Sequence, residues 1–218
     1  METKQFIELT QQHKIVPVFY HSDIEVVIQT IQASYDAGVR IFEFVNRGDN
    51  GLESFTRAVK HFHDYSDLCL GVGTLFDVDT ATGFVAAGAQ FMVSPGWVDE
   101  LARYAATCNL AYIPGIATIS EAITAKNAGC QMIKIFPANV VGPAFAKAVA
   151  SVLPDLAIMP TGGIEPTKES MGAWFKAGVN CVGMGSQLFD KKKIADGDFH
   201  GLAMDIRQAV QTAKACQI

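Results

Sequence analysis

A short β-rich apolar run, a Gly, Pro, Ser or Thr break and a helix-like segment recur as one unit along this chain. The runs fall at 15–19, 39–45, 68–72, 90–93, 110–113, 132–136, 157–159 and 180–183. Strands that alternate with helices build parallel β/α units. Eight units of this length predict a closed (β/α)8 TIM barrel, an α/β fold, in a single domain over 1–218. Barrel strands are covered on both faces, and a chain of 218 residues that is 50% hydrophobic can supply that core.

Local signals support the repeat. Ala-Gly pairs at 37–38, 87–88, 128–129 and 177–178 close four helices just before a strand. A helix over 23–37 has Ser22 or Asp23 as its cap, and one over 118–128 opens T-I-S-E, with Thr118 or Ser120 as its cap. Residues 2–13 predict an extra N-terminal helix. The rival architecture, an open doubly wound sheet, would carry G-x-G-x-x-G after its first strand. Here that strand runs into V-P-V-F-Y-H, so no dinucleotide cofactor is expected.

Composition narrows the partners. The net charge is -5 and no basic block occurs, which argues against nucleic acid. The run Lys191-Lys192-Lys193 reads as a solvated surface turn. No apolar stretch is long enough to cross a membrane, and the start lacks a signal core. Five widely spaced cysteines without C-x-x-C suggest buried thiols in a cytoplasmic protein. His61 and His63, spaced i, i+2 on an expected helix, do not share a face, so no metal site is expected.

Functional side chains in a barrel sit near the C-terminal ends of strands. In M-I-K-I-F, alternation sends Ile133 and Ile135 toward the helices and Met132, Lys134 and Phe136 inward. Lysine is almost never buried unless paired or used. Glu43 shares its face with Val39, Ile41 and Val45 and should also point inward, either as a partner that neutralises Lys134 or as an acid/base. Arg47, just past the second run, can clamp a carboxylate or phosphate. Glycine-bearing loops at 160–163 and 183–186 follow the seventh and eighth runs, where barrels frequently bind phosphate through bare backbone N–H groups.

An inward lysine beside a carboxylate suits imine chemistry on a 2-keto acid. Free lysine has a pKa of about 10.4, so only ~0.04% is neutral at pH 7. Apolar surroundings favour the neutral amine that attacks a carbonyl. A nearby acid/base must then move protons between the carbinolamine, the enamine and the aldol hydroxyl.

The ordered motifs resemble the 2-keto-3-deoxy-6-phosphogluconate / 4-hydroxy-2-oxoglutarate aldolases. The match runs through V-P-V at 16–18, G-V-R-I-F-E at 38–43 with Arg47, G-V-G-T at 71–74 and G-A-Q-F-M-V-S-P-G at 88–96. It continues through P-G-I-A-T at 114–118, I-K-I-F-P-A at 133–138, P-T-G-G-I at 160–164 and G-S at 185–186. The resemblance implies a metal-free class I aldolase, without cofactor, that releases pyruvate. Lys134 would form the Schiff base and Glu43 would be the acid/base. Arg47 and Thr74 would lie near the pyruvate carboxylate, with Thr161 beside the reaction centre. Gly162, Gly163 and Ser186 would hold a phosphate, with Pro95, Thr118, Phe136 and Gly185 also at the substrate. It further implies a homotrimer. Departures cluster at the distal end of the substrate, where this chain has Asn46, Asn139, Met184 and Gln187, and no Asn follows at 165–171. Two other functions stay open at this point. A phosphosugar isomerase or epimerase would not need the inward lysine, and a non-catalytic phosphometabolite-binding barrel would not need the Lys–Glu pair.

Overall fold

The computed structural model describes residues 1–216. Its strands are β1 (Ile15–Phe19), β2 (Ile41–Val45), β3 (Cys69–Gly73), β4 (Phe91–Ser94), β5 (Ala111–Ile116), β6 (Met132–Ile135), β7 (Ala157–Pro160) and β8 (Val182–Met184). They form one 8-stranded sheet in the order β7-β6-β5-β4-β3-β2-β1-β8. The ring closes between its ends through a parallel bridge from Thr161 to Gly183. The connecting helices are α2 (Ile24–Asp36), α3 (Gly51–His61), α4 (Val78–Ala86), α5 (Asp99–Cys108), α6 (Ile119–Asn127), α7 (Ala138–Val152) and α8 (Lys168–Lys176). After β8 come α9 (Lys191–Ala195) and α10 (Phe199–Ala215).

Strand alternation sorts the apolar residues into two cores. Phe42, Phe44, Leu70, Val72, Ile133 and Ile135 face the helix layer. Val16, Ile41, Cys69, Phe91, Met132 and Met159 fill the barrel interior. The N-terminal helix α1 (Thr3–His13) joins that second core through Phe6, whose ring lies 4.6 Å from that of Phe91. The Met1 amino group donates to the Gln90 carbonyl at 2.9 Å, and Ala111 N donates to the Met1 carbonyl at 3.0 Å. One mouth of the barrel is therefore plugged at the strand starts, which leaves the C-terminal mouth for a ligand.

Helix punctuation follows the sequence closely. The caps at Ala37, Ala87, Ala128 and Ala177 are each followed by a glycine at positive φ: Gly38, Gly88, Gly129 and Gly178. Asp23 caps α2, and Thr118 with Glu121 forms a reciprocal capping box on α6.

Three expectations are corrected. Val39 lies before β2, where its N–H donates to Ser34, and it packs toward the helices instead of sharing the face of Glu43. His63 lies past the end of α3, where it is exposed. Residues 191–193 are no plain turn, because Asp190 accepts from Lys192 N and Lys193 N and starts the short helix α9.

Candidate active site

Lys134 and Glu43 meet inside the barrel, although β6 and β2 lie four strands apart around the ring. The Nζ donates to Glu43 Oε1 at 3.0 Å, with Oε2 at 3.4 Å. Lys134 is 5% exposed and Glu43 is 1% exposed. Desolvating two charges costs several kcal/mol each, and an apolar pair of similar volume would often stabilise a core as well or better. Stability alone gives no reason to keep this pair. The ammonium lies 5.5 Å from the centroid of the Phe136 ring.

A cavity of about 770 Å³ is lined by Val45 and Phe136, two residues beyond Glu43 and Lys134 in the chain, while Lys134 and Glu43 themselves are not part of its lining. Among the residues expected at the substrate, Arg47, Phe136, Thr161, Gly162, Gly163, Gly185 and Ser186 line it. Thr161 Oγ1 is buried and has no hydrogen-bond partner. A buried polar group left unpaired costs about 1–3 kcal/mol. An orphan hydroxyl on a cavity wall suits a group brought by a ligand.

Thr74, Pro95 and Thr118 do not line the cavity. Thr74 follows β3 at φ 64 and is half-buried. Pro95 belongs to a turn folded over the end of β5, where Gly115 leaves room for its carbonyl beside Lys134. The Ser94 hydroxyl pins that turn by donating to Gly96 O at 2.6 Å and accepting from the Tyr112 hydroxyl at 2.6 Å. Burial pushes the Tyr112 phenol up to about 12. Thr118 starts a helix outside the cavity. It is exposed, its hydroxyl accepts from Glu121 N at 3.2 Å and donates to Glu121 Oε2 at 2.8 Å, and its role is the helix cap.

The cavity also includes Tyr20 and His21, which follow β1, and Lys191, which starts α9, none of which sequence reasoning assigned to the substrate; Asn139 and Gln187, two of the departures expected at its distal end, line it as well. The Arg47 guanidinium lies 5.6 Å from the centroid of the Tyr20 ring. Ser186 Oγ donates to Gln187 Oε1 at 3.0 Å. V-P-V-F-Y-H carried a usable signal, since Tyr20 and His21 are polar residues at a strand's C-terminal end. Lys191 carried none, because its reach depends on the fold of α9. Among the described residues, the lining includes Arg47 and Lys191 and no carboxylate, so the mouth favours an anion. No group of three or more His, Cys, Asp or Glu is placed to hold a metal among those residues.

The model of the KDPG and KHG aldolase family matches residues 6–204. The chain belongs to that family. This aldolase is 33% identical over 160 residues to 2-dehydro-3-deoxy-6-phosphogalactonate aldolase of Escherichia coli, covering 73% of this chain and 76% of that protein. It is 30% identical over 207 residues to 2-dehydro-3-deoxy-phosphogluconate aldolase of Pseudoalteromonas atlantica, covering 94% of each. Its fold matches a KDPG aldolase from Legionella pneumophila with pyruvate captured as a covalent carbinolamine. That match has a TM-score of 0.84 and 27% identity, and covers 94% of this chain and 97% of that one. The enzyme is a carbon–carbon lyase.

Proposed function

We propose that the aldolase cleaves a 2-keto-3-deoxy-6-phospho sugar acid to pyruvate and an aldehyde such as glyceraldehyde 3-phosphate, with Lys134 as the Schiff-base nucleophile. The observation that carries the reading is the buried Lys134–Glu43 pair, two residues short in the chain of Phe136 and Val45, which line a cavity with a cationic mouth. Lys134 passes a proton to Glu43 along their hydrogen bond, and the neutral amine attacks the C2 carbonyl. Glu43 returns that proton to the carbinolamine hydroxyl, which leaves as water to give an iminium ion and restores the carboxylate. Glu43 takes the C4 hydroxyl proton, directly or through a water, as the C3–C4 bond breaks. The bonding pair becomes the C2=C3 bond of an enamine, and the iminium π pair falls on the lysine nitrogen. The aldehyde leaves, the enamine C3 takes a proton, and water releases pyruvate.

Arg47 is the carboxylate clamp, assisted by Thr74. The orphan Thr161 hydroxyl faces the reacting end. Gly162, Gly163, Gly185 and Ser186, together with Lys191, hold the distal phosphate. Asn139 and Gln187 are neutral at that end, which keeps 4-hydroxy-2-oxoglutarate as the alternative substrate. The enzyme works as a homotrimer in the reducing cytoplasm. Its five cysteines are all free thiols, which suits that compartment. Among the described residues no helix is long and apolar enough to cross a membrane. Light scattering at three chain masses supports the trimer, and one chain mass removes it.

Borohydride reduction with pyruvate tests the central assignment. A stable adduct is expected on the Lys134 peptide and is expected to vanish in Lys134→Met. An adduct that forms equally well in the variant places the nucleophile elsewhere.

A further inference from the structure

Glu43 reaches Lys134 by leaning sideways. In the register of β2 on β3, Glu43 lies opposite Gly71 and Val45 opposite Gly73. The Glu43 carboxylate nevertheless sits against Gly73, one pleat further toward the open mouth. A β-carbon on Gly73 would overlap Oε1 and lie 2.7 Å from Glu43 Cδ and 2.9 Å from its Cγ. The preceding inward position, Gly71, is filled in the same way by the ring of Phe91 from β4. The inner face of β3 after Cys69 thus carries no side chain of its own. It is a notch occupied from both neighbouring strands.

Backbone conformation does not explain the glycine. Gly73 lies within β3 and is not among the positive-φ glycines. An alanine could adopt the same backbone and would add only a methyl group. Its severest conflict is with Glu43, since the three nearest atoms to the added carbon all belong to that side chain.

We propose that Gly73 is a positioning residue for the acid/base. By carrying no side chain, it lets the Glu43 carboxylate lie over β3 and meet the Lys134 amine at 3.0 Å. A methyl group there forces the carboxylate into another rotamer and off the amine, while leaving Lys134 in place. The inference rests on the roles given above to Lys134 and Glu43. It predicts that Gly73→Ala reproduces the defect of Glu43→Gln without touching the substrate.

The test is a mutant cycle read by exchange of the pyruvate methyl protons in deuterium oxide, followed by NMR. Gly73→Ala alone is expected to slow exchange by about 10-fold or more, within the range of a displaced acid/base. In the Glu43→Gln background the same substitution is expected to change the rate by less than about 3-fold, because the group it displaces is already lost. The limb of the pH–rate profile that Glu43→Gln removes should also be lost or shifted in Gly73→Ala. Borohydride should still trap pyruvate on Lys134. A poorly folding single variant is covered by thermal midpoints: Gly73→Ala should lower the midpoint in the wild-type background and much less in Glu43→Ala, where the notch is empty. Wild-type exchange matched by Gly73→Ala, or equal losses in both backgrounds, overturns the inference alone. A wild-type enzyme that neither exchanges nor traps pyruvate overturns the aldolase roles, and the inference with them.

Discussion

The two side chains to which the chemistry is assigned, Lys134 and Glu43, each break a rule of burial in the amino-acid sequence. A lysine between isoleucines and a glutamate between phenylalanines would be expelled from an ordinary core, so both were legible before any coordinates. Their contact was not, because β2 and β6 meet only when the ring closes. Glu43→Gln nearly preserves the volume and keeps a polar group against Lys134, so the fold should survive. Exchange of the pyruvate methyl protons should slow by about 10² or more. Exchange at the wild-type rate, followed by NMR in deuterium oxide, would remove Glu43 from the mechanism. Gly73 illustrates what a sequence hides. Its glycine reads as part of G-V-G-T, and only the coordinates show which side chain occupies the space it leaves.

At the scale of elements, helix ends were readable and strand ends less so. Caps are local: Asp23, Thr118 with Glu121, and the Ala-Gly closures act within a few residues of themselves. Strand ends depend on neighbours. β5 runs on through Pro114 and Gly115 to Ile116 because Ser94 pairs with Pro114 and Lys134 with Gly115. An apolar run ending at 113 gives no hint of this. The capping box separates two roles for Thr118. Thr118→Ala should destabilise the fold by about 1 kcal/mol. That corresponds to roughly 2–4 °C in a chain of this size. KM should not change, because the hydroxyl is engaged by Glu121 outside the cavity. A rise in KM without a fall in thermal midpoint would return Thr118 to the substrate. The Ala117 N–H, with the Thr118 groups, holds the Glu121 carboxyl below its ordinary range. A depressed carboxyl stabilises above its unfolded pKa, and that contribution fades as falling pH protonates it. The penalty of Thr118→Ala should therefore be larger at pH 7 than in acid.

At the scale of the whole molecule, the barrel is plugged at one mouth by α1 and open at the other, so substrate enters over the ends of β7 and β8. The protonated imine supplies the electron sink. Activity is therefore expected to be unchanged after EDTA treatment, and activity abolished by chelation and restored by zinc would overturn that mechanism. In the proposed pose the substrate's distal end meets the glycine loops at 162–163 and 185–186 and the cation Lys191, all of which line the cavity. Two features oppose phosphate there: Asn139 is an uncharged amide, and Ser186 already donates to Gln187. The balance favours the dianion, because backbone donors and an unopposed positive field act together in a mouth without a lining carboxylate. Holding a non-reacting phosphate also orients the keto acid over Lys134, which lowers the barrier as well as KM. A phosphorylated 2-keto-3-deoxy sugar acid should therefore show a higher kcat/KM than 4-hydroxy-2-oxoglutarate. Ser186→Ala and Lys191→Ala should each shrink that preference, while trapping of pyruvate on Lys134 stays at the wild-type level. Equal kcat/KM for the two substrates in the wild-type enzyme would make the glycine loops simple turns and give the cationic mouth to a different anion.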